Sequence, residues 1–77
     1  MANNFPNSKT VERLRKRYPE GCRVKLIQMD DIQAPPVGTC GTVSYVDDIG
    51  SIHVNWDTGS TLAVVYGVDS CMKVRKE

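Results

Sequence analysis

Few residues in this chain belong to the types that carry out acid–base, nucleophilic or metal chemistry. There is one histidine, His53, and there are three cysteines, Cys22, Cys40 and Cys71, none of them in a CxxC spacing. Zinc ligands usually come in close pairs, because one turn presents two of them to the same ion. The wide spacing therefore argues against a zinc site made of the three cysteines and His53. It favours reduced thiols that pack as small apolar residues.

The acidic residues do not complete a catalytic set. Asp30 and Asp31 form one pair, Asp47 and Asp48 form another, and both pairs stand where a turn is expected to begin. Aspartate at that position usually accepts the backbone N–H groups of the turn. No serine or cysteine stands beside His53 in a recognisable nucleophile–base pattern. The sequence therefore predicts a non-catalytic protein with no cofactor and no metal.

The basic residues are concentrated at one end of the chain. Residues 1–25 contain seven Lys or Arg against two Glu, whereas residues 26–77 contain three Lys or Arg against seven Asp or Glu. Clustered cations bind phosphate groups, but a charged helix face is also common as a solvated surface or as a partner for acidic residues. The candidate residues for nucleic-acid binding are Lys9, Arg13, Arg15, Lys16, Arg17, Arg23 and Lys25.

The length of the chain, 77 residues, allows one domain with a small core. Its longest apolar run covers residues 62–65, far fewer than the roughly 20 residues of a membrane-spanning helix. The N-terminus lacks the basic and apolar regions of a signal peptide. We therefore expect a cytoplasmic protein without membrane contact, with a flexible N-terminus over residues 1–6 and a single domain over residues 7–77.

One helix is predicted before the first strand, at about residues 8–18. Asn7 or Ser8 can cap its first turn, because a short side-chain oxygen accepts a free backbone N–H there. Pro19 is expected to end the helix at the preceding residue. The apolar stripe that would face the core consists of Val11, Leu14 and Tyr18.

Five short strands are expected after the helix, at residues 22–29, 39–46, 51–56, 60–65 and 70–74. Simple alternation cannot bury both Val43 and Val46, so we expect a bulge near Ser44. Trp56 falls on the inward face of its strand, where a core role competes with a role as a ligand platform. A long loop at residues 30–38 and tight turns elsewhere favour an SH3-like barrel over an OB-fold. The predicted fold is mainly β, a small five-stranded SH3-like barrel with an N-terminal α-helix.

Three stretches carry a more specific resemblance: "YPEGCRVKLIQMDD", "PPVGTCGTVSYVDDIGSIHVNWDTGSTL" and "YGVDSCMKV". With the preceding helix they resemble a small bacterial family of uncharacterised proteins, domain of unknown function 4314, over about residues 11–74. The resemblance implies an SH3-like barrel and a bacterial, often phage or mobile-element, origin, and it implies no established activity. Cys40 departs from the polar or basic residue of the family pattern. The hairpins are also similar to Mind bomb and HERC-type barrels, which bind peptides, and to KOW-type barrels, which bind RNA or protein.

The favoured function is binding of a protein or peptide in a groove between the first loop and the connector that contains Tyr66. In SH3-like barrels these segments lie close together and offer aromatic residues to a peptide. The plainer interpretation is that the two prolines stiffen a loop and the tyrosines cover the edge of the core. The candidate residues of the groove are Met29, Asp30, Asp31, Ile32, Pro35, Pro36, Tyr45, Trp56 and Tyr66.

Two other functions stay open at this point. One is nucleic-acid binding through the basic helix, as an accessory protein of a phage or mobile element. The other is self-association through Ile27, Ala63 and Val65, which alternation places on the outer face. We therefore expect a monomer or a weak homo-oligomer, and the sequence does not identify the partner.

Overall fold

A computed structural model describes residues 6–74 of the chain and gives a mainly β protein with one helix. The elements are α1 (Ser8–Arg17), β1 (Arg23–Gln28), β2 (Cys40–Val46), β3 (Ile52–Trp56) and β4 (Ser70–Lys73). The flexible end expected at residues 1–6 lies outside the described residues, except for Pro6. The ring of Pro6 lies against Gly50, where an added Cβ would come within 2.6 Å of it.

Helix α1 forms where the sequence predicts it and ends one residue earlier. The Asn7 side chain accepts the backbone N–H of Thr10 at 2.9 Å, which satisfies one of the free donors of the first turn. Tyr18 leaves the helical region with φ −121° and ψ 68°, because a following proline disfavours helical backbone at the residue before it. The described residues contain no helix with the length and apolar character needed to span a membrane.

The four strands form one antiparallel sheet in the order β3-β2-β1-β4. The bulge predicted in β2 is confirmed, because the register with β3 shifts between Val43 and Tyr45. The extra residue lets Val43 and Val46 both point into the core, where both are buried. It also turns Tyr45 to the outer face of the sheet, opposite His53.

The core lies between the inner face of the sheet and α1. Gly41 is closely packed against β3, because a Cβ there would lie 2.6 Å from Val54 Cγ1 and 2.9 Å from Cε3 of Trp56. The glycine therefore lets the indole pack directly on the β2 backbone. The buried core residues are Tyr18, Val24, Leu26, Val43, Val46, Ile52, Val54, Trp56 and Val64.

The strand predicted at residues 60–65 does not form as a strand. Ile52 and Val64 exchange two backbone hydrogen bonds of 2.9 and 2.8 Å, and Trp56 N–H donates to the Ser60 carbonyl at 2.9 Å. This register sets Leu62 opposite Val54, yet only the bridge at Val64 is formed. The sheet of the described residues therefore has four strands instead of five, and it is not closed into a barrel.

The indole of Trp56 explains the interruption. Its Nε1–H donates to the Leu62 carbonyl at 2.9 Å, so this carbonyl is directed to a side chain and not to the neighbouring strand. The Leu62 N–H turns to the Ser60 hydroxyl at 3.3 Å. Both backbone groups of Leu62 thus bond outside the strand ladder, which breaks the predicted strand in the middle.

Candidate interaction surfaces

Trp56 is a core residue and offers no platform to a partner. Only 3% of its surface is exposed, and its indole N–H is already bonded to Leu62. A buried indole with a satisfied N–H stabilises the packing around it. Of the two roles that the sequence leaves open for Trp56, the structure has the core role.

The connector that contains Tyr66 is a tight turn. Its backbone is closed by hydrogen bonds from the N–H groups of Val68 and Asp69 to the Val65 carbonyl, at 3.0 and 2.9 Å. The Asp69 carboxylate accepts the N–H of Val65 at 3.0 Å and fixes the turn from the other end. Tyr66 is 46% exposed at the tip, so its ring is held on a rigid segment and is open to solvent.

A groove of about 230 Å³, which we call the Tyr66 groove, lies between this connector and α1. Apolar side chains form its floor, and one carboxylate, already engaged by Val65, stands at its rim. The surface is concave and mainly apolar with few polar groups, as ligand sites are, but it is smaller than the roughly 300–1,000 Å³ of a small-molecule pocket. The groove is lined by Leu14, Tyr18, Ile52, Val64, Tyr66, Gly67, Asp69, Ser70 and Cys71.

The first loop does not line the Tyr66 groove. Its start is a turn in which the Asp31 carboxylate accepts the N–H of Gln33 at 2.8 Å. Pro35 is buried, whereas Ile32 is 100% exposed on the opposite part of the loop. Met29 packs against the core. The groove predicted between the first loop and the connector is thus bounded by α1 instead.

The predicted peptide-binding residues are therefore spread over several surfaces. Asp30 and Pro36 are exposed on the first loop, and Tyr45 lies on the outer face of the sheet. Among the candidates, Tyr66 alone lines the Tyr66 groove. Sequence analysis missed Leu14 and Cys71 as groove residues, since nothing in their local pattern distinguishes a groove wall from a core.

Four of the predicted nucleic-acid residues form a continuous basic face on α1. Lys9, Arg13, Lys16 and Arg17 are all exposed. Helical periodicity sets them on the side of α1 opposite the buried Val11. Within residues 6–74 none of the four takes part in an ion pair. The Arg17 guanidinium also lies 5.8 Å from the centroid of the Tyr18 ring.

The other predicted cations have structural partners or lie elsewhere. Arg15 donates to the Val46 carbonyl at 3.0 Å and pairs with Asp48 at 2.7 Å, which ties α1 to the end of β2. Arg23 holds Asp57 through two hydrogen bonds of 2.9 and 2.6 Å. These bonds keep the pKa of the Asp57 carboxyl below its ordinary value. Lys25 is exposed on β1, away from the helix.

A cluster that sequence analysis did not find stands on the outer face of the sheet. The Tyr45 and His53 rings stack with centroids 4.3 Å apart, and His53 Nε2 lies 2.8 Å from an Asp47 carboxylate oxygen. Asp47 also accepts the N–H groups of Ile49 and Ser51. Burial raises the pKa of the Asp47 carboxyl, but the hydrogen bonds from His53, Ser51 and Ile49 lower it by a larger amount. The net pKa of Asp47 is therefore below its ordinary value. The cluster fixes the β2–β3 turn.

The cysteines behave as partly buried apolar residues. Burial and the neighbouring Cys22 raise the pKa of the Cys71 thiol to about 11, and burial also raises the pKa of Cys22. Both thiols are therefore protonated and poorly nucleophilic at neutral pH. Within the described part of the chain, no three His, Cys, Asp or Glu side chains are grouped so that they could hold a metal ion.

Comparison with known families shows to which one the chain is similar. The model of a family described as a domain of unknown function, DUF4314, matches residues 7–74 of the chain. No curated protein and no solved structure shows significant similarity to this chain. The match spans both the helix and the whole sheet, and it confirms the family resemblance that the sequence motifs indicate.

Proposed function

Because this chain belongs to the DUF4314 family, which has no assigned activity, we propose its function from its surfaces: it is a non-catalytic interaction module that binds a peptide segment of a partner protein. The Tyr66 groove carries this proposal, since it combines an apolar floor with an exposed aromatic ring on a rigid turn. Interfaces are enriched in tyrosine, because the ring offers a large contact area at a low cost in conformational entropy.

The course of the chain supports an SH3-like barrel as the underlying fold. Segment 60–65 runs beside β3, while β4 lies beyond β1 at the other end of the sheet. Four interstrand spacings would separate these edges by about 19 Å in a flat sheet. The connector between them is folded into a tight turn, so the sheet must curve until the end of segment 60–65 lies near the start of β4. The Tyr66 groove then lies where segment 60–65 and β4 approach each other, with Val64 on one side and Cys71 on the other.

A second candidate function is nucleic-acid binding through the basic face of α1. The observation in its favour is that four exposed cations lie together, whereas Arg15 and Arg23 are paired with Asp48 and Asp57. The four cations are Lys9, Arg13, Lys16 and Arg17. Tyr18, the aromatic ring nearest this face, is buried. Base stacking is therefore not offered, and the face would bind the phosphates of a duplex without sequence preference.

Selection from a random peptide library displayed on phage, with the immobilised protein as bait, tests the leading proposal. We expect enriched peptides whose addition shifts the amide NMR signals of Tyr66, Gly67 and Ser70. Unchanged signals in the first loop and in the Tyr45 region would locate the contact at the groove. Enriched peptides that shift only the outer face of the sheet would contradict the proposal.

A further inference from the structure

Among the described residues, strand β4 is an edge strand of the sheet, next to the Tyr66 groove. The Val74 N–H donates to the Arg23 carbonyl at 2.9 Å, so Val74 faces β1 across the ladder. Backbone groups alternate in direction along a strand, and Cys71 and Lys73 therefore direct their N–H and C=O groups away from β1. In the part of the chain that the structure describes, these groups have no backbone hydrogen-bond partner. The edge is thus a template for one more strand.

The hydrogen bonds of β1 independently support the conclusion that the Cys71 backbone groups are directed away from β1. Leu26 donates its N–H to Thr39 and accepts the N–H of Gly38 through its carbonyl, both at 2.8 Å. Its backbone is thus directed to the β2 side and cannot bond Cys71, which stands opposite it on β4. The pair of Leu26 and Cys71 is a non-hydrogen-bonded pair, as the orientation of Val74 requires.

The edge is basic as well as open. Lys25 stands opposite Met72 in the register of β1 and β4. Lys25, Met72, Lys73 and Val74 line a depression of about 390 Å³. Neither lysine forms an ion pair with another residue of the described ranges. A ligand at this edge would therefore meet two cations whose charges it could complement.

We infer that the partner segment binds as an added antiparallel strand on β4 and that it is acidic. This inference rests on the proposed peptide-binding function and names the class of peptide. Side chains alternate between the faces, so the residue opposite Cys71 would enter the Tyr66 groove and should be apolar. The residue opposite Lys73 lies two positions away on the same face and should be acidic. An antiparallel peptide, read from its N-terminus, meets Lys73 first and Cys71 two residues later. The core of its sequence is therefore an acidic residue, any residue and an apolar residue.

A second copy of this chain fits the edge less well. Two antiparallel β4 strands paired with each other would bring Lys73 of one copy near Lys73 of the other. Lysine on an edge strand opposes such self-pairing. The same charges favour an acidic strand, so they select one class of partner.

The test uses the synthetic peptide Thr-Val-Thr-Glu-Thr-Leu-Thr-Val, labelled for fluorescence anisotropy, and the full-length protein. A matched peptide carries N-methyl groups on the glutamate and the leucine, which removes the two N–H groups facing β4 and keeps all side chains. A third peptide has lysine in place of the glutamate. The variant Lys73→Glu changes an exposed side chain, so its fold should be retained.

We expect N-methylation to weaken binding at least about five-fold, because two backbone hydrogen bonds are lost. Lys73→Glu should weaken binding of the acidic peptide about three-fold and favour binding of the lysine peptide instead.

Equal binding of the N-methylated and parent peptides, with NMR shifts at Tyr66, would overturn strand addition and leave groove binding intact. Absence of binding by all three peptides overturns the acidic-strand inference, while peptides from the display selection still test the groove. A protein whose molecular mass in solution doubles as its concentration rises, with the dimer contacts at β4, would show that a second copy occupies the edge. That result would refute the inference.

Discussion

Replacement of Trp56 by phenylalanine tests the assignment of its indole to the core. The change removes the indole N–H that donates to Leu62 at 2.9 Å and leaves a smaller ring in a position that is 3% exposed. Loss of the hydrogen bond costs about 1 kcal/mol, and the incompletely filled space costs about 1–2 kcal/mol more. We expect the free energy of unfolding to fall by about 2–3 kcal/mol, a large part of the roughly 5–15 kcal/mol of a typical domain.

Urea denaturation and thermal melting followed by circular dichroism measure this loss. A fall of 2–3 kcal/mol corresponds to about 10–20 °C in Tm for a domain of this size. Tyr45→Phe is the matched control, because it alters an aromatic ring of the same sheet that is 55% exposed. It should change stability by less than about 0.5 kcal/mol. Equal stability of Trp56→Phe and the parent protein would refute the core assignment of the indole.

Three further predictions follow from particular contacts. Gly41→Ala should destabilise the protein by about 1–3 kcal/mol in urea denaturation, because its Cβ would lie 2.6 Å from Val54 Cγ1; a neutral change would contradict the tight packing. The lowered pKa of Asp47 means that its contribution to stability is present above the unfolded pKa of about 3.9 and is lost as pH falls through the lower folded pKa. Acid titration of Asp47→Asn should therefore show a smaller loss of stability than the parent, and an identical loss would contradict it. If α1 binds duplex DNA, Arg13→Glu with Lys16→Glu should abolish binding while Lys25→Glu retains it. The slope of log K against log salt should then be no steeper than about −4 for four phosphate contacts, and equal binding by all variants would exclude the helix.

Local signals in the sequence predicted the elements that depend on neighbouring residues. The cap at Asn7 and the stop at Pro19 define α1 within one residue. The spacing of Val43 and Val46 predicted the bulge of β2, which is confirmed by the register shift. In each case the determining contact lies within a few residues along the chain, so pattern and propensity were sufficient.

Features that depend on contacts between distant segments were not predictable in the same way. The strand at residues 60–65 has the alternation of a strand, but the indole of Trp56 takes the Leu62 carbonyl from the ladder. The partners of Arg15 and Arg23 lie 33 and 34 positions further along the chain. Two of seven predicted basic residues are therefore engaged by acids that composition alone could not assign to them.

The composition of the candidate groove shows the same division. An exposed Tyr66 on a short connector follows from the pattern of turn residues around it. The opposite wall is α1, because Leu14 and Tyr18 of its apolar stripe line the groove and also pack with the core. The sequence predicts that this stripe is buried, but it does not specify which residues of the sheet and connector it packs against.

The central claim is that a peptide partner binds in the Tyr66 groove, and the affinity of a display-selected peptide for two matched variants tests it most directly. Tyr66→Ser and Tyr45→Ser each remove one exposed ring, from the groove and from the outer face of the sheet respectively. Loss of a central aromatic contact typically costs more than about 1–2 kcal/mol. We predict that Tyr66→Ser weakens binding about ten-fold or more in isothermal titration calorimetry, while Tyr45→Ser retains the parent affinity. Undiminished binding by Tyr66→Ser, or a larger loss in Tyr45→Ser, would contradict the claim.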